Sequence, residues 1–153
     1  MPDLEAKSHN LAITIDVEDY FQVSAFEKQL SPQSWDQHQC RVEANVALIL
    51  EMLAKHNTKG TFFILGWIAE RYPAMVKDIC AAGHEIASHG HNHQRLTTLT
   101  RAELRNDVRD SKKRLEDICG VAVNGYRAPS FSLSEDCLWA IDELKEAGYT
   151  YSS

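Results

Sequence analysis

The chain has 153 residues, 44% of them hydrophobic and 25% charged, which is the composition of one ordinary globular domain or part of one. Lys and Arg number 16 against 22 Asp and Glu, a formal net charge of -6 with the basic residues spread over several segments, so a nucleic-acid partner is not expected. No apolar run approaches the roughly 20 residues that cross a bilayer, which excludes a transmembrane helix.

The N-terminus, MPDLEAKSHNLAITID, places acidic residues before a short apolar run, the reverse of an export signal. Residues 1–10 read as a tail, and the cytoplasm is the expected location. Cys40, Cys80, Cys119 and Cys137 lie far apart without a CxxC pair and are expected as reduced thiols. Leu11 to Val17 predicts a strand that ends in a cluster of acids, Asp16, Glu18 and Asp19. After Arg41, the residues Val42, Val46, Ile49, Leu50 and Leu53 form the stripe of an amphipathic helix ending near Asn57. Gly60 to Leu65 reads as a buried strand.

Pro73 suits a first helical position and Gly83 a left-handed cap, which predicts a short helix from Pro73 to Ala82 and then a strand from His84 to Ser88. The loop His89 to Arg95 follows. Thr100 and Glu103 make a capping-box pattern ahead of a stripe from Leu104 to Ile118, closed by Gly120. A short strand around Asn124 to Arg127 leads to RAPSF, Ser132 with Glu135 opens a further helix closing at Gly148, and Tyr149 to Tyr151 begins another strand. Alternating strands and helices favour a parallel sheet with right-handed crossovers, either a β/α barrel or an open α/β sheet. In a barrel, each polar cluster would sit at a strand's C-terminal end. A complete barrel of that kind runs to roughly 250 residues, so this chain is expected to be a fragment.

Four of the seven histidines fall between His84 and His93, in GHEIASHGHNH. His89 and His93 are four apart, a spacing that places both rings on one side of a helical turn, close enough to share a metal at about 2.0–2.1 Å per nitrogen. The acids after the first strand supply an oxygen ligand. Asp16 and Glu18 point to the same side if the strand stays extended, which makes Glu18 the favoured ligand and Asp19 its substitute, with Asp16 left as the base. The competing role for Asp19 is a helix cap for Tyr20 to Leu30. Three protein ligands leave coordination positions open, the design of a hydrolase. Arg127, ahead of Pro129, could hold the base through a bidentate pair. His91 is expected outside the ligand set and His84 as a structural hydrogen-bonding residue. Trp67 and Phe131 are candidate sugar platforms, although core packing is the commoner fate of such residues.

TIDVEDYF, SHGHNH and YRAPSF resemble, in order and approximate spacing, the first three motifs of the NodB-homology polysaccharide deacetylases, carbohydrate esterase family four. TIDVEDYFQV, FFILGWIAERYP, GHEIASHG and GYRAPSFS are similar to the subgroup found with exosortase and PEP-CTERM exopolysaccharide loci. The resemblance runs from about Leu11 to the end of the chain. It implies the N-terminal portion of a distorted (β/α)7 barrel, a divalent metal such as Zn²⁺, and hydrolysis of N-acetyl groups from amino sugars of a polysaccharide. It matches Asp16 to the catalytic base, His89 and His93 to the histidine ligands and Arg127 to the residue that positions the base. The family's commonest form has adjacent Asp residues as base and ligand, whereas here the second acid is displaced to Glu18 or Asp19. The later family motifs, including the one with the histidine general acid, do not occur before Ser153, so 11–153 reads as an incomplete deacetylase domain. A non-catalytic carbohydrate-binding fragment and a small-amide hydrolase on the same barrel are the rival expectations.

Overall fold

The protein is described here by a computed structural model over residues 11–153, and the expected tail at 1–10 lies outside the described residues. Five strands form one parallel sheet in chain order: β1 (Thr14–Val17), β2 (Thr61–Ile64), β3 (Glu85–Ser88), β4 (Gly125–Tyr126) and β5 (Tyr151–Ser152). The crossovers carry α1 (Val42–Lys55), α2 (Gly66–Arg71) with α3 (Pro73–Ala81), α4 (Arg101–Cys119) and α5 (Ala140–Glu146). Neighbouring strands in the sheet are neighbours in sequence, the order of a β/α barrel and not of a doubly wound open sheet.

Alternation along the strands sorts the side chains. Val17, Phe62, Ile64 and Ile86 join the core beneath the helices. Asp16, Phe63 and Ala87 share the opposite face because they pair in register across β1, β2 and β3. That face is concave. Strands lie about 4.8 Å apart, so three spacings would hold β1 and β4 roughly 14 Å apart in a flat sheet. Arg127, just after β4, nevertheless reaches Asp16 on β1 at 2.6 Å, passing 4.0 Å above the Phe63 ring. Gly125 on β4 must lack a side chain, since a Cβ there would lie 2.2 Å from the hydroxyl of Tyr151, its partner on β5.

α4 packs Leu104, Val108, Ser111 and Leu115 against the sheet, and Ser111 meets Ser88 of β3 hydroxyl to hydroxyl at 3.0 Å. Its ends follow the sequence: Thr100 and Glu103 complete the capping box, and Gly120 takes the left-handed cap at φ 69°. Thr100→Ala is expected to cost about 1 kcal/mol, read as a lowered melting temperature without loss of the fold.

Two expectations fail locally. The helix opening at Ser132 does not form there, because the Ser132 hydroxyl donates to the Pro129 carbonyl and accepts from the Leu96 N–H; a 3-10 turn at Glu135–Cys137 precedes α5 instead. The short helix α2 falls in a segment for which the sequence predicted no element. All four cysteines are free. Among the described residues no helix is long and apolar enough to cross a membrane.

Candidate metal centre

The C-terminal ends of β1, β3 and β4 converge on one cluster. Val17 faces the core, so Asp16 and Glu18 on either side of it face the concave side together. His89 follows β3 directly. The pairing of Ser88 with Tyr126 brings it beside Arg127, whose carbonyl lies 2.8 Å from His89 Nδ1. That bond makes Nδ1 the protonated nitrogen and leaves the Nε2 lone pair exposed to the acids: Asp16 Oδ2 and Glu18 Oε2 each stand 3.9 Å away. Burial holds the His89 imidazole below its ordinary range against the opposing pull of Asp16, the Arg127 carbonyl and Glu18, so the ring is neutral at pH 7.

His93 completes the group, with Nε2 2.8 Å from Glu18 Oε2 and its ring centroid 5.2 Å from that of His89. Glu18, His89 and His93 each offer a ligand atom within 4.8 Å of the others. The expected helical turn is absent. The backbone between the two imidazoles bends through Gly90 at φ 75° and His93 at φ 53°, so the rings meet through loop geometry. This loop is pinned from two sides. The first N–H groups of α2, on Gly66 and Trp67, donate to the carbonyls of Gly90 and His91, and Asp107 of α4 accepts the His91 N–H at 3.0 and 3.2 Å. The His91 ring packs so close to Gly66 that a Cβ there would lie 2.4 Å from Nδ1, which explains the glycine at the start of α2. His84 is structural, accepting the Gly60 N–H at 3.2 Å.

Burial pushes the Asp107 carboxyl up to about 6, against the lowering effect of the His91 N–H. A carboxyl that binds its proton more tightly folded than unfolded contributes stability that is complete below about pH 4 and is lost as pH rises through 6. The span is on the order of 2–3 kcal/mol. Asp107→Asn keeps an acceptor for His91 without the buried charge. It is therefore expected to gain stability over the parent above pH 6, with the gap closing below pH 4, measured by thermal melts across that range.

The polysaccharide deacetylase profile matches residues 26–152. The chain belongs to the polysaccharide deacetylase family. It is 36% identical over 96 residues to a peptidoglycan-N-acetylglucosamine deacetylase of Bacillus cereus, covering 62% of this chain and 35% of that protein. To a chitooligosaccharide deacetylase of Sinorhizobium fredii it is 32% identical over 91 residues, covering 59% and 42%. A crystal structure of a candidate polysaccharide deacetylase from Mycobacterium smegmatis superposes with a TM-score of 0.74 at 28% identity, over 92% of this chain and 49% of that one. The chain thus spans a third to a half of the length of these relatives. The resemblance to the NodB-homology family and its barrel is borne out; none of these matches separates out the exosortase-associated subgroup.

The family's metal has a fitting donor set in this member. Glu18 Oε2 is buried and engages in no hydrogen bond despite its 2.8 Å approach to His93 Nε2, as expected of two lone pairs turned to a common point. Two ligands about 2.1 Å from one ion at a tetrahedral angle are roughly 3.4 Å apart, between the 2.8 and 3.9 Å found between Glu18 and the imidazoles.

Asp19 is placed elsewhere. Its carboxylate accepts the N–H groups of Tyr20, at 2.8 Å, and of Arg41, and is 98% buried beside the Arg41 guanidinium. It thereby ties the end of β1 to the start of α1, and takes neither the metal position nor the cap of a regular helix. Arg127 is not bidentate to Asp16: Nη1 donates to Asp16 Oδ1, while Nη2 donates to Thr14 Oγ1 at 3.1 Å and Ser153 Oγ at 2.9 Å. The fork is divided because β1 and β5 flank it. Trp67 is no platform. It is 7% exposed, edge-on to Phe21 and Trp35, with the Arg71 guanidinium 3.8 Å over its ring. Phe131 is 78% exposed, on a turn where it and Ser130 both take positive φ. Thr14, Asp107 and Gly66 were not singled out by sequence, since nothing local distinguishes them; only pairing and packing give them partners.

Proposed function

We infer that this domain hydrolyses N-acetyl groups of amino sugars in a polysaccharide, with a divalent cation, Zn²⁺ by preference, held by Glu18, His89 and His93. The observation that carries this reading is the meeting of one carboxylate and two imidazoles beside a second carboxylate, Asp16, which a separate cation, Arg127, holds in place. An exopolysaccharide is the polymer favoured by the likeness of GHEIASHG and GYRAPSFS to exosortase-associated deacetylases.

The cation supplies Lewis acidity toward a water molecule and the acetamide carbonyl. Asp16, pointed to the same place as Glu18 but outside the mutual contact of the three ligands, accepts the proton of the attacking water. Arg127 fixes that carboxylate from one side, and its own carbonyl fixes His89 from the other, so one residue orients both base and ligand. One water is consumed as the C–N bond breaks: its oxygen ends on the acetyl carbon, giving acetate, and a proton ends on the leaving nitrogen, giving the free amine. Phe131, exposed on its turn, offers a face on which a sugar ring can stack.

The test is acetate release by the full-length protein supplied with Zn²⁺, using N-acetylated chitooligosaccharides, peptidoglycan glycan strands and small cyclic amides. Release from glycans and none from the amides is expected. A protein that takes up zinc and binds glycan yet frees no acetate is a binding module, and the hydrolytic reading falls.

A further inference from the structure

Between β1 and α1 the chain makes neither strand nor α-helix. Residues 19–41 instead fold through two 3-10 turns, Ser24–Phe26 and Pro32–Gln37, into a cap beside the metal centre. The cap is fastened at several points. Asp19 holds Arg41, Asp36 takes the Arg71 guanidinium with bonds of 2.7 and 2.9 Å, and Glu27 meets Arg95 of the histidine loop at 3.2 Å.

Under the cap lies a cavity of about 130 Å³, bounded by Phe21, Gln22 and Trp35 on one side and by Asn92, His93 and Arg95 on the other. Three of these residues carry a buried nitrogen with no hydrogen-bond partner in the protein: Gln22 Nε2, Trp35 Nε1 and His93 Nδ1. Gln22 and Trp35 are each 3% exposed. The Gln22 amide is oriented by its other end, since Oε1 accepts the Asp19 N–H at 2.8 Å, which leaves Nε2 as the free donor. With His93 Nε2 reserved for the cation that Glu18 and His89 would share, Nδ1 would be the nitrogen that carries the proton. Unpaired buried donors are destabilising, and three on residues around one cavity call for an acceptor to fill it. The acid in the wall, Glu27, is neutralised by Arg95.

We propose that this cavity is a specificity pocket for a compact group presenting only acceptor oxygens, a carboxylate or an acyl carbonyl, carried by the glycan next to the acetamide being cleaved. At about 30 Å³ per water-sized group the space admits roughly four such groups, a substituent but not a sugar ring. His93 is common to the cavity wall and the ligand set, so the pocket adjoins the reacting centre. The proposal rests on the deacetylase reading for the identity of the glycan.

Proton–nitrogen NMR of the zinc-loaded protein tests it, with the indole signal of Trp35 assigned by its disappearance in Trp35→Phe. Three tetrasaccharides serve as probes: fully N-acetylated chitotetraose, a chitosan tetramer with a single acetyl group, and a peptidoglycan tetrasaccharide with 3-O-lactyl carboxylates. The Trp35 indole and Gln22 amide signals are expected to shift with the first or third probe and not with the second. A response to the first, whether or not the third also responds, identifies an acyl carbonyl, since the third carries N-acetyl groups as well; a response to the third alone identifies the carboxylate. Trp35→Phe should weaken binding of the responsive probe about tenfold, with zinc stoichiometry unchanged. Absence of any shift in either side-chain signal overturns the pocket, even if the full-length protein releases acetate, in which case the deacetylase reading stands without it. A shift in a protein that releases no acetate sustains the pocket and removes the deacetylase reading.

Discussion

Glu18→Gln is expected to lower the affinity of the protein for Zn²⁺ by at least about 10²-fold, and His89→Ala to do the same. Loss of a residue that merely orients a ligand typically costs 10- to 100-fold, so loss of a ligand should cost at least the upper end. Glu18→Gln is the cleaner variant because shape is retained while the charge and one anionic oxygen go. His89 is 2% exposed and anchored to the Arg127 carbonyl, so its alanine variant also leaves a small void. Calorimetric titration with Zn²⁺ gives the affinity directly. Thermal melts give it independently: a ligand at 100 times its Kd stabilises the fold by about 2.7 kcal/mol, and at the same zinc concentration this increment should shrink to about 0.4 kcal/mol or less in both variants. One equivalent of zinc bound as tightly to both variants as to the parent would remove the metal centre from Glu18 and His89 altogether.

Asp16→Asn should separate binding from chemistry. Asparagine still accepts the Arg127 Nη1 hydrogen bond through its oxygen, so the local fold is kept. Asp16 also lies outside the group of three whose ligand atoms are mutually close, so zinc binding should change little. Acetate release by the full-length protein should nevertheless fall by about 10²- to 10⁴-fold, in kcat with little change in KM, because a proton acceptor is removed and ground-state binding is not. A variant that keeps a tenth or more of the parental rate would disqualify Asp16 as the base. A variant that loses zinc would instead make it a ligand.

Much of this site could be read along the chain because its chemistry is local there. Asp16 and Glu18 share a face by the two-residue period of a strand, and the buried Val17 between them shows the period persisting to the strand's end. The capping box of α4 and its closing Gly120 are likewise local, with every partner within a few residues. The histidine spacing brought two rings together by another route than the one expected: they meet in a loop braced by α2 and Asp107, not on a helical turn. Three side chains were placed by distant neighbours that the local sequence does not show. Asp19 is claimed by Arg41, Trp67 by an aromatic cluster under the cap, and half of the Arg127 fork by Thr14 and Ser153.

Periodicity, caps and the clustering of imidazoles and carboxylates are encoded by short-range order, so the sequence alone determined the alternating α/β plan, the parity of Asp16 with Glu18 and the pairing of His89 with His93. Curling of the sheet, which carries Arg127 across to β1, and closure of residues 19–41 over a cavity with unpaired donors were decided only in three dimensions. Both arise from contacts between segments far apart in the chain. A side chain's hydrogen-bond partner is fixed by which strand or loop packs beside it, and no residue's immediate neighbours along the chain carry that information.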